Sequence, residues 1–157
     1  MDFPVTPAIR FLRQHKVPFE ERLFEYVEKG GTEHSARVLG VDEHSVIKTL
    51  IFETNTGKGI VVLMHGDKQV SEKNLARHLS VKSVSAASAE KALKLTGYLF
   101  GGTSPFGLKT TLPVYAESSI FDLEKIYING GKRGFLLEID PDVLRRTLQV
   151  EEVSVGY

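Results

Sequence analysis

The chain has 157 residues, 20 basic and 20 acidic, so its formal net charge is zero, and it contains no cysteine. That balance excludes a protein that coats nucleic acid through bulk positive charge, leaving only a local patch for such contact. The lack of cysteine excludes disulfides, thiolate–metal frameworks and cysteine nucleophiles. With 41% hydrophobic and 25% charged residues, the composition is that of a globular protein. One domain over residues 1–157 is expected, burying roughly 68–70% of the surface its unfolded chain exposes. No apolar run reaches the length of a membrane span, and the N-terminus lacks a charged-then-apolar signal pattern. A cytoplasmic protein, mature as written, is the expectation.

Thr6-Pro7 opens the first helix, with threonine as cap and proline at the first helical position. Phe11 and Leu12 face inward from it, and Pro18 closes the region. Phe19 to Tyr26 (FEERLFEY) reads as a strand with imperfect alternation. Lys29 to Thr32 (KGGT) turns into a helix ending at Leu39, with Gly40 as a left-handed cap. Asp42 caps a short turn before a β-branched strand from Ser45 to Glu53. A hairpin turn (TNTGKG) leads to Ile60–Gly66, apolar enough to be buried on both faces.

Ser71 and Ser88 cap helices running to Leu79 and Leu95, with a short strand, VKSVS, between them. Three strand-like runs follow, LPVYAE, KIYINGG and GFLLEI, with Gly130-Gly131 as the expected tight turn between the last two. Asp140-Pro141 starts the final helix, stapled by Ile139 and Leu144, and EEVSV ends the chain as a strand. Strands and helices mix without a βαβ rhythm, and several neighbouring strands look like hairpins. This predicts an α+β fold with a mixed sheet.

Candidate chemistry is sparse. The histidines at 15, 34, 44, 65 and 78 contain no pair at the helical spacing that seats one metal, so surface or capping roles are expected and no metal site. The segment YLFGGTSPFGLKT, Tyr98 to Thr110, carries three glycines, a proline and two phenylalanines. It is neither a phosphate-cradling Gly-Lys-Ser/Thr loop nor a dinucleotide fingerprint, and Ser104 does not sit in a nucleophile elbow. Gly101 and Gly102 either expose bare backbone to a ligand, as in an oxyanion hole or an amine clamp, or serve a compact loop that needs positive φ. Lys48 sits inside the apolar run SVIKTLIF. It is either solvated on the polar face of a half-buried strand or tucked into a pocket as a fixed cation with up to three donors. Lys132 and Arg133, in GGKRG, lie on a turn tip. With Lys109 and Lys48 they could form a local basic patch for a phosphate backbone.

Four segments taken together resemble one family: TPAIRFL, VIKTLIF, TGYLFGGTSPFG and IYINGGKRGFLLEI. The chain resembles the YbaK/EbsC family, stand-alone relatives of the editing domain inserted in bacterial prolyl-tRNA synthetases. The resemblance runs over nearly the whole chain in order. It implies a mixed, strongly curved, barrel-like sheet with flanking helices, and a trans-acting aminoacyl-tRNA deacylase with Cys-tRNA(Pro) as the default substrate. Hydrolysis of another mischarged amino acid (Ala, Ser or Thr) and non-catalytic tRNA or synthetase binding are the alternatives. The implied partners are the aminoacylated 3′ end of tRNA and a prolyl-tRNA synthetase, with no membrane, metal or organic cofactor.

Lys48 is the implied lysine for the 3′-terminal adenosine and its phosphate, and the Gly101-Gly102 turn is the implied clamp on the aminoacyl group. Phe24, Tyr26, Thr49, Thr103, Ser104, Phe106 and Asn129 are the implied substrate contacts, and Lys109, Lys132 and Arg133 the tRNA contacts. The attacking group implied is the thiol of a cysteinyl substrate, or a water oriented by the terminal ribose hydroxyl, with no covalent enzyme nucleophile. The chain departs from the cysteine-editing pattern at Phe24, where those members have Tyr, and at Asn129, where they have Ser. It departs again at Leu136, where they are often polar, and at Thr103 in place of Ile. These are pocket positions, so the departures bear on which amino acid is admitted.

Overall fold

A computed structural model describes residues 2–157. The described residues form eight strands and five α-helices. In chain order these are α1 (Pro7–Gln14), β1 (Glu20–Leu23), α2 (Gly31–Leu39), β2 (Val46–Thr54), β3 (Gly59–His65), α3 (Glu72–Leu79) and β4 (Val84–Ala86). There follow α4 (Ala89–Thr96), β5 (Val114–Glu117), β6 (Ile126–Lys132), β7 (Phe135–Ile139), α5 (Asp142–Thr147) and β8 (Val150–Val153). None of the helices is long and apolar enough to cross a membrane.

The strands make one mixed sheet in the order β1-β7-β6-β2-β3-β5-β8, with β4 added to β2. The β2–β3 and β6–β7 hairpins are antiparallel, while β2–β6, β3–β5 and β5–β8 are parallel. β3 is buried at every residue. Its side chains alternate between two cores: Val61 and Leu63 join Ile47, Phe106, Ile128 and Leu137 on one face. Ile60, Val62 and Met64 join Phe52 and Leu75, beneath α3, on the other. A third, smaller cluster of Ala36, Val46 and Leu136 seats α2 against the sheet.

Three caps are as expected. Thr6, Ser71 and Ser88 accept from the backbone N–H of Ile9, Asn74 and Lys91 at 3.1, 3.2 and 3.1 Å; such a cap contributes ~1 kcal/mol. The Asp140 carboxylate accepts from Asp142 N at 2.8 Å, starting α5 beside Pro141. β1 is shorter than the expected strand because its partner β7 meets it over four residues only.

The Gly130-Gly131 pair is not the tight turn. β6 continues to Lys132, and the reversal falls on Arg133-Gly134. The Asn129 side-chain oxygen accepts from Gly131 N at 2.6 Å and Lys132 N at 3.1 Å. That holds the two glycines as a bulge in the β6–β7 ladder.

The C-terminal strand pairs with β5, and one buried carboxylate secures the residues beyond it. Glu117 accepts from Val155 N at 2.7 Å and Gly156 N at 2.8 Å. Glu117→Ala leaves both amides unpaired, and a loss of about 1–3 kcal/mol is expected in urea unfolding. Amide exchange at Val155 and Gly156 should rise with it. Unchanged protection there would show that other contacts hold this segment.

Candidate functional site

β2 pairs with β6 only at Val46 and Ile47, and with β4 only from Phe52 to Thr54. Residues 48–50 therefore have no strand partner on that edge. A cavity of about 440 Å³ opens beside this gap. Its walls come from β2 (Lys48, Thr49), the chain leaving β1 (Phe24, Tyr26), the first turn of α2 (Thr32, His34), and the 98–110 segment (Phe100, Gly101, Thr103), with Asn129 and Leu136 from the β6–β7 hairpin. Among the described residues, the charged side chains on this wall are Lys29 and Lys48, and no carboxylate lines it. The cavity thus favours an anion beside an apolar group.

Lys48 is half-buried, not solvated. Its ammonium donates to the Lys68 carbonyl in the loop after β3. Two of its three donors remain for a ligand. Burial pulls its pKa below the ordinary lysine value, against the pull of Glu43 and Asp67, which favour the cation. The loop that supplies the Lys68 carbonyl is itself anchored. His44 Nδ1 pairs with the Asp67 carboxylate at 2.9 Å, and the His44 and His65 rings stack at 3.7 Å, 6° from parallel. Buried His65 donates from Nδ1 to the His44 carbonyl at 2.7 Å, and its Nε2 meets Ser119 Oγ at 2.7 Å. Burial pushes the His65 pKa down, which favours the neutral ring whose Nε2 accepts.

The expectation of surface or capping histidines is corrected at His65, which is fully buried. His44, His65 and Asp67 bring donor atoms within 4.8 Å of one another. As potential metal ligands, both His65 nitrogens and His44 Nδ1 are already engaged in hydrogen bonds. Helical spacing could not reveal this trio, because strand register and a loop assemble it.

The turn from Leu99 to Gly102 closes through Gly102 N donating to Leu99 O at 2.8 Å, with Gly101 at φ 87°. A β-carbon on Gly101 would also lie 2.9 Å from the Tyr26 hydroxyl. Asn129 Nδ2 donates to the Gly101 carbonyl at 3.2 Å, and Arg133 Nε to the Phe100 carbonyl at 2.8 Å. Much of the backbone expected to be bare is therefore already bonded, and the turn is held rigidly at the cavity wall. Thr49 Oγ1, also on the wall, is buried without a hydrogen-bond partner. A native buried hydroxyl left unpaired marks a place for a ligand or water.

Several expected contacts lie elsewhere. Ser104 and Phe106 are fully buried behind the wall, where Ser104 Oγ accepts from Phe106 N at 3.3 Å and the Phe106 ring stacks on Phe11 at 5.8 Å. Gly102 is buried against the backbone of Lys132 and Arg133. Lys109 sits beside Gly97 at the end of α4, and Lys132 is exposed outside the cavity lining. Arg133 reaches the rim, its guanidinium 5.1 Å from the centre of the Tyr26 ring. The four-residue basic patch is thus reduced to Lys48 on the wall with Arg133 and Lys132 nearby on the hairpin.

Sequence reasoning missed the α2 turn, although KGGT at a helix start carries the small-residue signal of an anion-facing terminus. It also missed Phe100, whose exposure has no sequence signal. A larger groove of about 710 Å³ lies further along the 98–110 segment, lined by Pro105, Leu108, Leu112 and Tyr115. Its charged wall residue is Glu151, so it lacks the anion preference of the first cavity.

A lysine fixed on the wall of a largely apolar cavity, which a rigid glycine turn also lines, can receive an anionic group of a substrate. The profile of the aminoacyl-tRNA editing domain matches residues 28–147, and the chain belongs to that family. It is 31% identical over 140 residues to EbsC of Enterococcus faecalis, named, provisionally, as a Cys-tRNA(Pro)/Cys-tRNA(Cys) deacylase; the match covers 88% of this chain and 85% of EbsC. It is 29% identical over 121 residues to a proline–tRNA ligase of Persephonella marina, covering 75% of this chain and 21% of the ligase. A crystal structure described, provisionally, as a trans-editing enzyme for prolyl-tRNA synthetase superposes with a TM-score of 0.83 at 19% identity, covering 98% of this chain and 99% of the other. That of a hypothetical protein superposes with a TM-score of 0.87 at 23% identity, covering 97% and 100%. These two establish the fold, an α+β domain with a mixed sheet.

Proposed function

We propose that this protein hydrolyses mischarged aminoacyl-tRNA in trans, with cysteine on proline tRNA as the default substrate. The observation that carries the reading is Lys48, a cation held on the wall of a cavity that the Gly101 turn also lines and that, among the described residues, no carboxylate lines. Its free donors bind the phosphate of the 3′-terminal adenosine. The turn and the unpaired Thr49 hydroxyl orient the aminoacyl group, and Phe24, Thr103 and Leu136 surround its side chain.

In the hydrolytic route a water adds to the ester carbonyl and the carbonyl–ribose oxygen bond breaks. A proton passes to the departing ribose hydroxyl, and the free amino acid leaves. With cysteine, the substrate's own thiol can attack the same carbonyl and displace the ribose oxygen, which takes up the thiol proton; the cyclic thiolactone released is then opened by water to free cysteine. An aminoacyl ester is already activated, so positioning supplies much of the acceleration. The name of the 31%-identical relative supports cysteine. The altered wall at Phe24, Asn129 and Leu136 favours a different small amino acid as the second reading. Occurrence of the domain inside proline–tRNA ligases supports a synthetase as a partner, and a cytoplasmic location is part of the proposal.

The test is purified protein with labelled Cys-, Ala-, Ser- and Thr-charged tRNAs. Release of cysteine from proline tRNA above the spontaneous rate is expected. Turnover of another member alone would move the specificity. No turnover of any would overturn the proposal and leave a binding module.

A further inference from the structure

Phe100 is 71% exposed, and its neighbour Leu99 is 60% exposed. An exposed apolar side chain alone means little. Here the backbone that carries it is pinned on three sides: Arg133 holds the Phe100 carbonyl, Asn129 holds the Gly101 carbonyl, and Gly102 N closes onto Leu99 O. The phenyl ring thus stands at the tip of a rigid turn on the cavity rim, with Val27, 46% exposed, on the same wall. Beside it the Arg133 guanidinium lies over Tyr26, a second planar surface, Lys29 adds positive charge on the cavity wall, and exposed Lys132 precedes Arg133 on the hairpin.

We infer that Phe100, with the Arg133–Tyr26 pair, is a stacking platform for an unpaired RNA base, the one immediately 5′ of the aminoacylated terminal nucleoside. The inference rests on the proposed function, which places that terminal nucleoside in the cavity beside Lys48. Its chain then leaves past the rim, where the next base meets the exposed ring. Aromatic rings bind single-stranded bases by stacking, and neighbouring cations take the backbone phosphates. A base fits this rim better than a protein partner does, because the exposed apolar residues at the rim, Phe100 with Leu99 and Val27, are few and stand beside cations.

The chain contains no tryptophan. Phe100→Trp therefore places a single tryptophan, excitable apart from the five tyrosines, on the tip. Titration with a short uncharged single-stranded RNA carrying the tRNA 3′ sequence is expected to quench it saturably. An oligonucleotide with an abasic nucleotide at the penultimate position should quench it far less. In deacylation, Phe100→Ala is expected to raise KM for mischarged tRNA about tenfold with kcat little changed, and Phe100→Trp to restore it. The loss should be much smaller for the same amino acid esterified to adenosine alone, which has no penultimate base. Equal losses on both substrates, an unchanged KM, or no quenching would overturn the platform. The fluorescence arm needs no turnover, so it still decides the inference if the protein proves inactive on every tRNA tested.

Discussion

Lys48→Ala is expected to lower single-turnover deacylation at least about tenfold, equivalent to ~1.4 kcal/mol of transition-state stabilisation. Lys48 lines the cavity and its ammonium is steadied by the Lys68 carbonyl, so its removal deletes the held cation of this wall. Far-ultraviolet spectra and melting should stay those of the parent protein, because the lysine contributes a half-buried charge and not core packing. An unchanged rate would remove Lys48 from the mechanism.

The pH dependence supplies a second readout. Burial places the folded pKa below that of a solvated lysine, so the active ammonium is lost at lower pH than usual. The excess rate of wild type over Lys48→Ala, after subtraction of spontaneous hydrolysis, should be full below that lowered pKa and fall as pH rises through it. An excess that persists until solvated lysines titrate, at about pH 10.4, would contradict the burial argument.

Gly102→Ala is the second large effect. A β-carbon there would lie 2.8 Å from Arg133 N, 3.0 Å from Lys132 C and 3.1 Å from Lys132 Cα. These are backbone atoms of the β6–β7 hairpin and cannot swing away as a side-chain tip can. The Leu99–Gly102 turn must move off the hairpin, taking the Gly101 carbonyl from Asn129 and the Phe100 carbonyl from Arg133. Clearing these contacts moves the turn by roughly half an ångström, and since a 1 Å misplacement costs on the order of a hundredfold when positioning supplies the catalysis, a loss of about tenfold in rate is expected. Overpacking adds a loss of about 1–3 kcal/mol in stability. Deacylation within threefold of wild type at unchanged melting temperature would show that the turn is softer than its hydrogen bonds suggest. Gly101→Ala carries a different penalty: its nearest obstacle is a side-chain end, the Tyr26 hydroxyl, but its φ of 87° is strained for any residue with a β-carbon.

Much of this architecture was legible in the chain. Thr6, Ser71 and Ser88 announce their helices because capping is a local exchange of hydrogen bonds within four residues. β3 reads as buried on both faces because its apolar run lacks alternation. The Gly130-Gly131 misreading has a definite cause. Gly-Gly is the usual mark of a reversal, but here the Asn129 side chain takes the amides of Gly131 and Lys132, and the bulge moves the turn on to Arg133-Gly134. Ser104 and Phe106 share the glycine-rich stretch with Gly101, so adjacency made them look like cavity residues. The chain turns after Thr103 and buries both.

The amino-acid sequence by itself determined the α+β class, most element boundaries, the family resemblance, and the prominence of Lys48 and the Gly101-Gly102 turn. Those rest on local propensity, periodicity and motif order. Only the tertiary structure decided whether Lys48 is solvated or held, because its partner Lys68 is brought to it by the β2–β3 register and the loop beyond. Tertiary contacts likewise buried His65 against His44, left Thr49 Oγ1 unpaired at a gap between β6 and β4, and stood Phe100 outward on a pinned turn. Each depends on pairings between residues distant in the chain, where local sequence preferences carry no information.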